Sequence, residues 1–180
     1  TVGTITSQTN NDSDPVTLNV AGFFSDPDSS DVLTYGDGGT LPPGLSIDPN
    51  TGIISGTLDS SASAGGPYTV VITASDGNGG SVTQTFTWTV NNPSPVAVDD
   101  NFTVGGDDAS AVIGNAITNN DSDPDGDALT AVVQSGVAGS NGGLFSIDVN
   151  GNVSFDPNGE FEDLAVGETR TTSFTYTLVD

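Results

Sequence analysis

The chain has 180 residues, of which 24 are acidic and one, Arg170, is basic; lysine and histidine are absent and the net charge is −23. This balance excludes nucleic acid, which is bound through Lys and Arg that displace counterions, and anionic membrane surfaces. It favours cations, whose binding relieves self-repulsion of this size. With no cysteine or histidine, disulfides and thiolate sites are excluded and the remaining ligand chemistry is oxygen, which suits calcium or magnesium.

All the acidic residues except Glu160, Glu162 and Glu168 are Asp. Asp, Asn, Gly and Pro form turns, and the segments between them are rich in Thr, Val and Ile. The fold class expected is all-β. In chain order, the alternation predicts a strand over Val2–Thr6, a turn over Asn10–Pro15 and a strand over Val16–Val20. A loop with Asp26, Asp28 and Asp31 leads to a strand over Val32–Tyr35. Leu45–Ile47 and Ile53–Ser55 flank Asp48-Pro49-Asn50-Thr51-Gly52, a hairpin signal. Tyr68–Ala74 and Val82–Val90 close the first half, with Phe86, Trp88 and Val90 on one face and a threonine row on the other. These are the strands of an immunoglobulin-like sandwich.

Asn91-Asn92-Pro93-Ser94-Pro95 follows, and its two prolines deny a helix or a central strand. The second half then repeats the first. Leu45-Ser46-Ile47-Asp48 recurs as Phe145-Ser146-Ile147-Asp148, 100 positions later, and Asp26-Pro27-Asp28 recurs within Asp121-Ser122-Asp123-Pro124-Asp125-Gly126-Asp127. Thr172, Phe174, Tyr176 and Leu178 form a face like that of Tyr68–Ala74, and Asp180 falls where Asp76 falls in the first half. Two tandem Greek-key sandwiches are expected, at 1–92 and 93–180. The second lacks a counterpart of Val82–Val90, so the chain reads as a segment of something longer. No apolar run approaches membrane-spanning length.

The acidic loops carry the chemistry. Carboxylates at every second residue from Asp121 to Asp127 suit a hard cation that takes six to eight oxygens at about 2.3–2.6 Å. An EF-hand is excluded, because Val132 stands where the bidentate Glu belongs. Loop order in a seven-strand sandwich groups Asp26, Asp28 and Asp76 at one end of the first domain. It groups Asp123, Asp125, Asp127 and Asp180 at the matching end of the second, facing the linker with Asn91, Asn92 and Asp100. Asp12, Asp14 and Asp59 are expected at the same junction. Calcium (Ca2+) is the cofactor this grouping predicts. The alternatives are an acidic surface tuned for solubility, and turns whose Asp side chains bond their own backbone.

Leu41-Pro42-Pro43-Gly44-Leu45-Ser46-Ile47-Asp48, Thr51-Gly52 and Ile54-Ser55-Gly56-Thr57 resemble the dystroglycan-type cadherin-like or putative-Ig family. Val96-Ala97-Val98-Asp99-Asp100 through Asn120–Asp127 is similar to the repeats named for Vibrio, Colwellia, Bradyrhizobium and Shewanella. The Asp-Pro-Asp, Ala74-Ser75-Asp76 and Asn-Asn-Pro motifs resemble bacterial cadherin-like repeats. These resemblances imply an extender region of a large secreted bacterial adhesin, often of the RTX type, with calcium stiffening the domain junctions. They imply ligands at Asp123, Asp125, Asp180, Asn91 and Asn92, and at Asp26, Asp28 and Asp76. The Gly-Gly-x-Gly-x-Asp repeats of an RTX calcium roll do not occur.

Catalysis has little to work with. No His or Cys can serve as base or nucleophile, and only the carboxylates Glu160 and Glu162, in a Gly- and Asp-rich loop, could pose as a hydrolytic pair. No enzyme is expected. The threonine rows read as solvated outer faces of the sheets. The function expected is an extracellular, monomeric extender, serving adhesion and biofilm, whose partners are neighbouring repeats of the same chain. The alternative is a split or accessory domain that supports an inserted carbohydrate- or peptide-binding module.

Overall fold

The computed structural model describes residues 3–28, 30–105 and 111–180, and it forms two compact units, Thr1–Pro93 and Ser94–Asp180.

The first unit is a two-sheet sandwich. Strands β1 (Gln8–Asn11), β3 (Thr34–Gly36), β6 (Tyr68–Ser75) and β7 (Ser81–Asn91) form one sheet in the order β1-β7-β6-β3. Strands β2 (Pro15–Asn19), β4 (Leu45–Ile47) and β5 (Ile53–Thr57) form the other, in the order β2-β5-β4. Period-2 patterning decides which side chains go inward. The β6–β7 register sets Val70 against Phe86 and Tyr68 against Trp88, so Val70, Ile72, Ala74, Phe86, Trp88 and Val90 all face inward. There they meet Val20, Phe24 and Ile54 in one core. Each such side chain contributes about 1.5–3 kcal/mol on burial. Thr83, Thr85 and Thr87 are exposed on the outer face.

The first strand corrects the sequence reading. Val2 lies outside the described residues, and Gly3–Ser7 is not a strand; the ladder is Gln8–Asn11. Gly3 donates its N–H to the Phe23 carbonyl at 2.6 Å, and the Ile5 N–H reaches Gln84 Oε1 at 3.4 Å while its side chain fills the core. These partners take that backbone away from a sheet. Asn10 and Asn11, expected in a turn, instead pair in parallel with Val90 and Asn91. The reason is local: Trp88 Nε1 donates to Asn10 Oδ1 at 3.0 Å, and Asp12 N–H continues the ladder to the Asn91 carbonyl at 2.9 Å.

The resemblance motif has a steric basis. Gly44 and Gly56 face each other across β4 and β5 with φ of +91° and +142°. A Cβ on Gly44 would lie 2.0 Å from the Thr57 carbonyl oxygen, and one on Gly56 would lie 2.2 Å from the Gly44 oxygen. Only glycine fits that crossing.

In the second unit, β8 (Ala111–Asn115), β10 (Gln134–Ala138), β11 (Leu144–Ile147) and β12 (Asn152–Asp156) form a sheet in the order β10-β11-β12-β8, and β9 (Thr130–Ala131) pairs with β13 (Leu178–Val179). A five-residue helix, α1 (Ala116–Asn120), follows β8 and is capped by the Asn115 side chain, which accepts from Thr118 N–H at 2.9 Å. Phe145, Ile147, Val153, Phe155 and Phe161 make the core. The expected long strand over 170–178 is a ladder only at Leu178–Val179. Its half-buried face of Thr172, Phe174, Tyr176 and Leu178 is present, but its partners change along the way. Ser173 O accepts from Ser140 N–H and Thr177 O from Val132 N–H, both at 2.9 Å.

The internal repeat is structural. Asp48 Oδ1 accepts from the N–H groups of Asn50 and Thr51 at 2.8 and 3.0 Å. Asp148 Oδ1 accepts from those of Asn150 and Asn152, both at 2.9 Å. Both carboxyls sit below the ordinary range: Asp48 through the bonds from Thr51 and Asn50, and Asp148 through those from Asn152, side chain then backbone. These two aspartates shape turns.

Candidate metal centre

At one end of the first unit the β2–β3 and β6–β7 loops meet. Phe24, in the core and 5.9 Å edge-on from Tyr35, anchors the first of these loops. Asp76, at the end of β6, accepts at Oδ1 from Asn78 N–H at 2.7 Å and Gly80 N–H at 2.9 Å. A Cβ on Gly80 would lie 2.2 Å from Asp76 Oδ2, so a larger residue there would push the carboxylate aside. Half-buried Asp26, Asp31 and Asp76 each offer an oxygen, all within 4.8 Å of one another. Among the described residues this is the one acidic trio so placed. Oxygens this close can share one cation that takes its ligands at about 2.3–2.6 Å. A cleft of about 130 Å³ lined by Asp26, Leu33, Ala74 and Asp76 adjoins it.

The sequence groups Asp26, Asp28 and Asp76; the structure brings together the first and last but has Asp31 as the third. Asp28 turns to Ser30 and accepts from its hydroxyl at 2.7 Å and its N–H at 3.0 Å. Those bonds, the hydroxyl's first, hold its carboxyl below the ordinary range. The only sequence signal for Asp31 is its place where the loop returns to β3.

At the other end of this unit Asp12 is 3% exposed. Its Oδ1 accepts from Ser63 N–H at 2.8 Å, and its Oδ2 is buried without a hydrogen bond. An unsatisfied buried carboxylate oxygen carries its full desolvation penalty. Tyr68 lies near Asp12 and Asp59; burial first, then those two charges, push its hydroxyl pKa up. Asp14 Oδ2 caps the turn by accepting from Asn11 N–H at 2.7 Å. Asn91 ends β7, where its carbonyl accepts from Asp12, and Asn92 is exposed just beyond.

In the second unit, Asp123 Oδ1 accepts from the N–H groups of Asp125 at 3.0 Å and Asp127 at 3.4 Å. The Asp125 carboxyl is pushed up to about 6, first by its hydrogen bond to Asp123, then by burial and by the charges of Asp123 and Asp127; Asp123 is correspondingly lowered. The β9–β13 register sets Val179 opposite Thr130, so Asp180 arrives at the end of the pair where the Asp121–Asp127 loop enters. Asp100 accepts from Asn119 Nδ2 at 2.6 Å and from the Tyr176 hydroxyl at 3.2 Å. That hydroxyl also lies 2.9 Å from Asp121 Oδ2. The sequence marks Asp121 as part of the acidic loop but gives no sign of its partner Tyr176, because only the fold brings 121 and 176 together.

Asp125 gives a pH dependence with a definite sign. Its folded pKa of about 6 lies above the unfolded value of 3.8, so the folded state holds a proton that the unfolded state releases. Without metal, that contribution is complete below about pH 4 and is lost as pH rises through 6. Asp125→Asn is expected to flatten the melting temperature of the second unit between pH 4 and 6.5 in chelator. An unchanged slope would contradict it.

Residues 1–91 match the family model of the putative Ig domain, and residues 92–180 match that of the bacterial cadherin-like domain. Among solved structures, human protocadherin-24 EC1-2 is similar at 19% identity, over 83% of this chain and 73% of that one, with a TM-score of 0.37. Drosophila N-cadherin EC1-4 is similar at 16% identity, over 87% and 39%, with a TM-score of 0.39. A putative alpha-galactosidase of Bacteroides fragilis is similar at 24% identity over 52% of this chain, with a TM-score of 0.39, and the chain spans 18% of that protein's length. No protein of curated function matches. Ig-like and cadherin-like domains are typically extracellular, non-enzymatic modules of the adhesion type, and cadherin-like domains usually bind Ca2+. Among the described residues no helix is long and apolar enough to cross a membrane. The chain belongs to the putative Ig domain family through residues 1–91, and its second unit is similar to the bacterial cadherin-like domain.

Proposed function

We propose that this chain is a calcium-stiffened extender segment of a large secreted bacterial surface adhesin, of the RTX type, with a role in cell attachment and biofilm. Its partners are neighbouring repeats of the same chain, and it works as a monomer. The observation that carries this reading is the Asp26–Asp31–Asp76 trio, three carboxylates within 4.8 Å of one another in a chain whose single basic residue is Arg170, in the other unit. Asp12, with a buried and unsatisfied Oδ2, supports it from the opposite end of that unit. Asp26, Asp31 and Asp76 would hold an ion at one end, Asp12 and Asp59 at the other. In the second unit Asp123, Asp125, Asp127, Asp180 and the linker's Asp100 are the proposed ligands. A divalent ion tying a loop to its neighbour removes the freedom that a two-proline linker by itself leaves.

Extracellular calcium modules bind at about 10⁻⁴–10⁻³ M, and a hundredfold excess over Kd adds about 2.7 kcal/mol per site. Calcium is therefore expected to raise the melting temperature by several degrees per site. Magnesium should do so poorly, because it demands a tighter octahedron. In parallel, calcium should narrow the distribution of distances between spin labels at Ser7 and Ser146. Identical melting curves and distance distributions in calcium and in chelator would overturn the proposal.

A further inference from the structure

We infer that Val96–Asp100 is a strap: a segment at the head of the second unit that docks through hydrogen bonds without needing a metal, and detaches while the unit's core stays folded. Two regions distant in sequence, Asn119–Ser122 and Tyr176, converge on it. Val96 and Ser122 exchange both backbone hydrogen bonds, at 2.8 and 3.1 Å. Val98 N–H donates to Asp121 Oδ1 at 2.8 Å, and Asn120 Nδ2 donates to the Asp99 carbonyl at 3.1 Å. Asp100 is gripped from two sides, by Asn119 Nδ2 at 2.6 Å and by the Tyr176 hydroxyl at 3.2 Å.

Burial contributes little to this docking. Val96 and Val98 remain 48% and 45% exposed, so their apolar surface stays largely in water. What holds the segment is a handful of polar contacts, each contributing about 0.5–1.5 kcal/mol, more where the acceptor is charged. Segments with few buried apolar contacts and solvent-exposed hydrogen bonds open first.

The latch is Tyr176. Its hydroxyl carries a single proton yet lies within reach of two carboxylates, Asp121 Oδ2 at 2.9 Å and Asp100 Oδ2 at 3.2 Å. One of these belongs to the strap and the other to the body of the unit, so this neutral donor sits where like charges would otherwise push the two apart. The ring is built on the core, 6.3 Å from Phe174, which in turn stacks on Phe145 at 4.6 Å. The strap also has a stop. Phe102 lies over Gly114 so closely that a Cβ there would be 2.1 Å from the ring, and Phe102 packs against the core. Detachment therefore ends before Phe102. Release of five residues adds up to about 17 Å to the reach of the chain ahead of the unit.

None of the strap's contacts involves calcium, so exchange measured in chelator separates strap release from calcium binding. Hydrogen exchange is measured residue by residue on the whole 180-residue chain. In the wild type, the Val96, Val98 and Ser122 amides should be protected, but less than those of β11 and β12. Tyr176→Phe keeps the ring and removes the latch. It should speed exchange at Val96 and Val98 about tenfold, as loss of one bond to a charged acceptor implies, and leave β11 and β12 unchanged. Asn119→Ala, at an exposed position, loosens the same carboxylate from its other side and should act alike if Tyr176→Phe fails to fold. Strap amides that do not respond to either variant, or that respond only in step with β11 and β12, would overturn the inference.

Discussion

Trp88→Ala should unfold the first unit under conditions where the second stays folded. Trp88 is fully buried, lies 6.0 Å from Phe86, and its indole N–H satisfies Asn10 Oδ1. Truncating a buried tryptophan costs about 3–5 kcal/mol through lost transfer energy and the cavity left behind, and here it also orphans a polar group. A domain of this size has only about 5–15 kcal/mol in total. Calorimetry should show one transition displaced downward and the other unmoved. Trp88 is the only tryptophan, so in the wild type its fluorescence reports the first unit alone, and urea midpoints taken that way should precede or follow the second unit's without mixing. Trp88→Phe should cost far less. Displacement of both transitions by Trp88→Ala would mean that the units do not unfold independently.

Gly56→Ala is expected to be nearly as damaging without touching the core. At φ +142° an alanine is strained by about 1–3 kcal/mol, and its Cβ would also overlap the Gly44 carbonyl, which is backbone and cannot rotate away. The loss should reach about 3 kcal/mol or more. Gly44→Ala, at φ +91° against the Thr57 carbonyl, should match it. By contrast Gly77→Ala, at φ +75° with open space around it, should show the strain alone. Equal melting temperatures for Gly56→Ala and Gly77→Ala would show that the crossing can relax.

These glycines show where the sequence is readable. Gly44 and Gly56 stand out as a motif, and the reason for the motif, two backbones in contact, emerges only once β4 and β5 are paired. β6 and β7 were legible because apolar and polar residues alternate along them and most of one face is buried, and β4 and β5 because they flank a hairpin turn signal. The Asp48 and Asp148 hairpins were legible because an Asx turn is a local device. The first strand was not. Gly3–Thr6 has the better β composition, but long-range partners, Phe23 and Gln84, claim its backbone, while the indole of Trp88 recruits Asn10 into the ladder. The threonine-rich segment before β13 likewise changes partners at a point no local pattern marks. In the candidate site, sandwich loop order suffices to place Asp26 near Asp76. The choice of Asp31 over Asp28 depends on a hydroxyl, that of Ser30, two residues along. Tyr176 and Asp121 are 55 residues apart, and nothing in either segment announces the other.

The parallel pairing of β1 with β7 has a mechanical consequence. Strands that run the same way and lie at the two ends of a unit's chain place its entry and exit at opposite poles. Tension applied along the chain then draws β1 and β7 past each other lengthwise. The rungs from Gln8–Trp88 to Asn11–Asn91, with the Trp88–Asn10 pin among them, are loaded in shear and must yield together. An antiparallel pair pulled from one end would peel open a rung at a time.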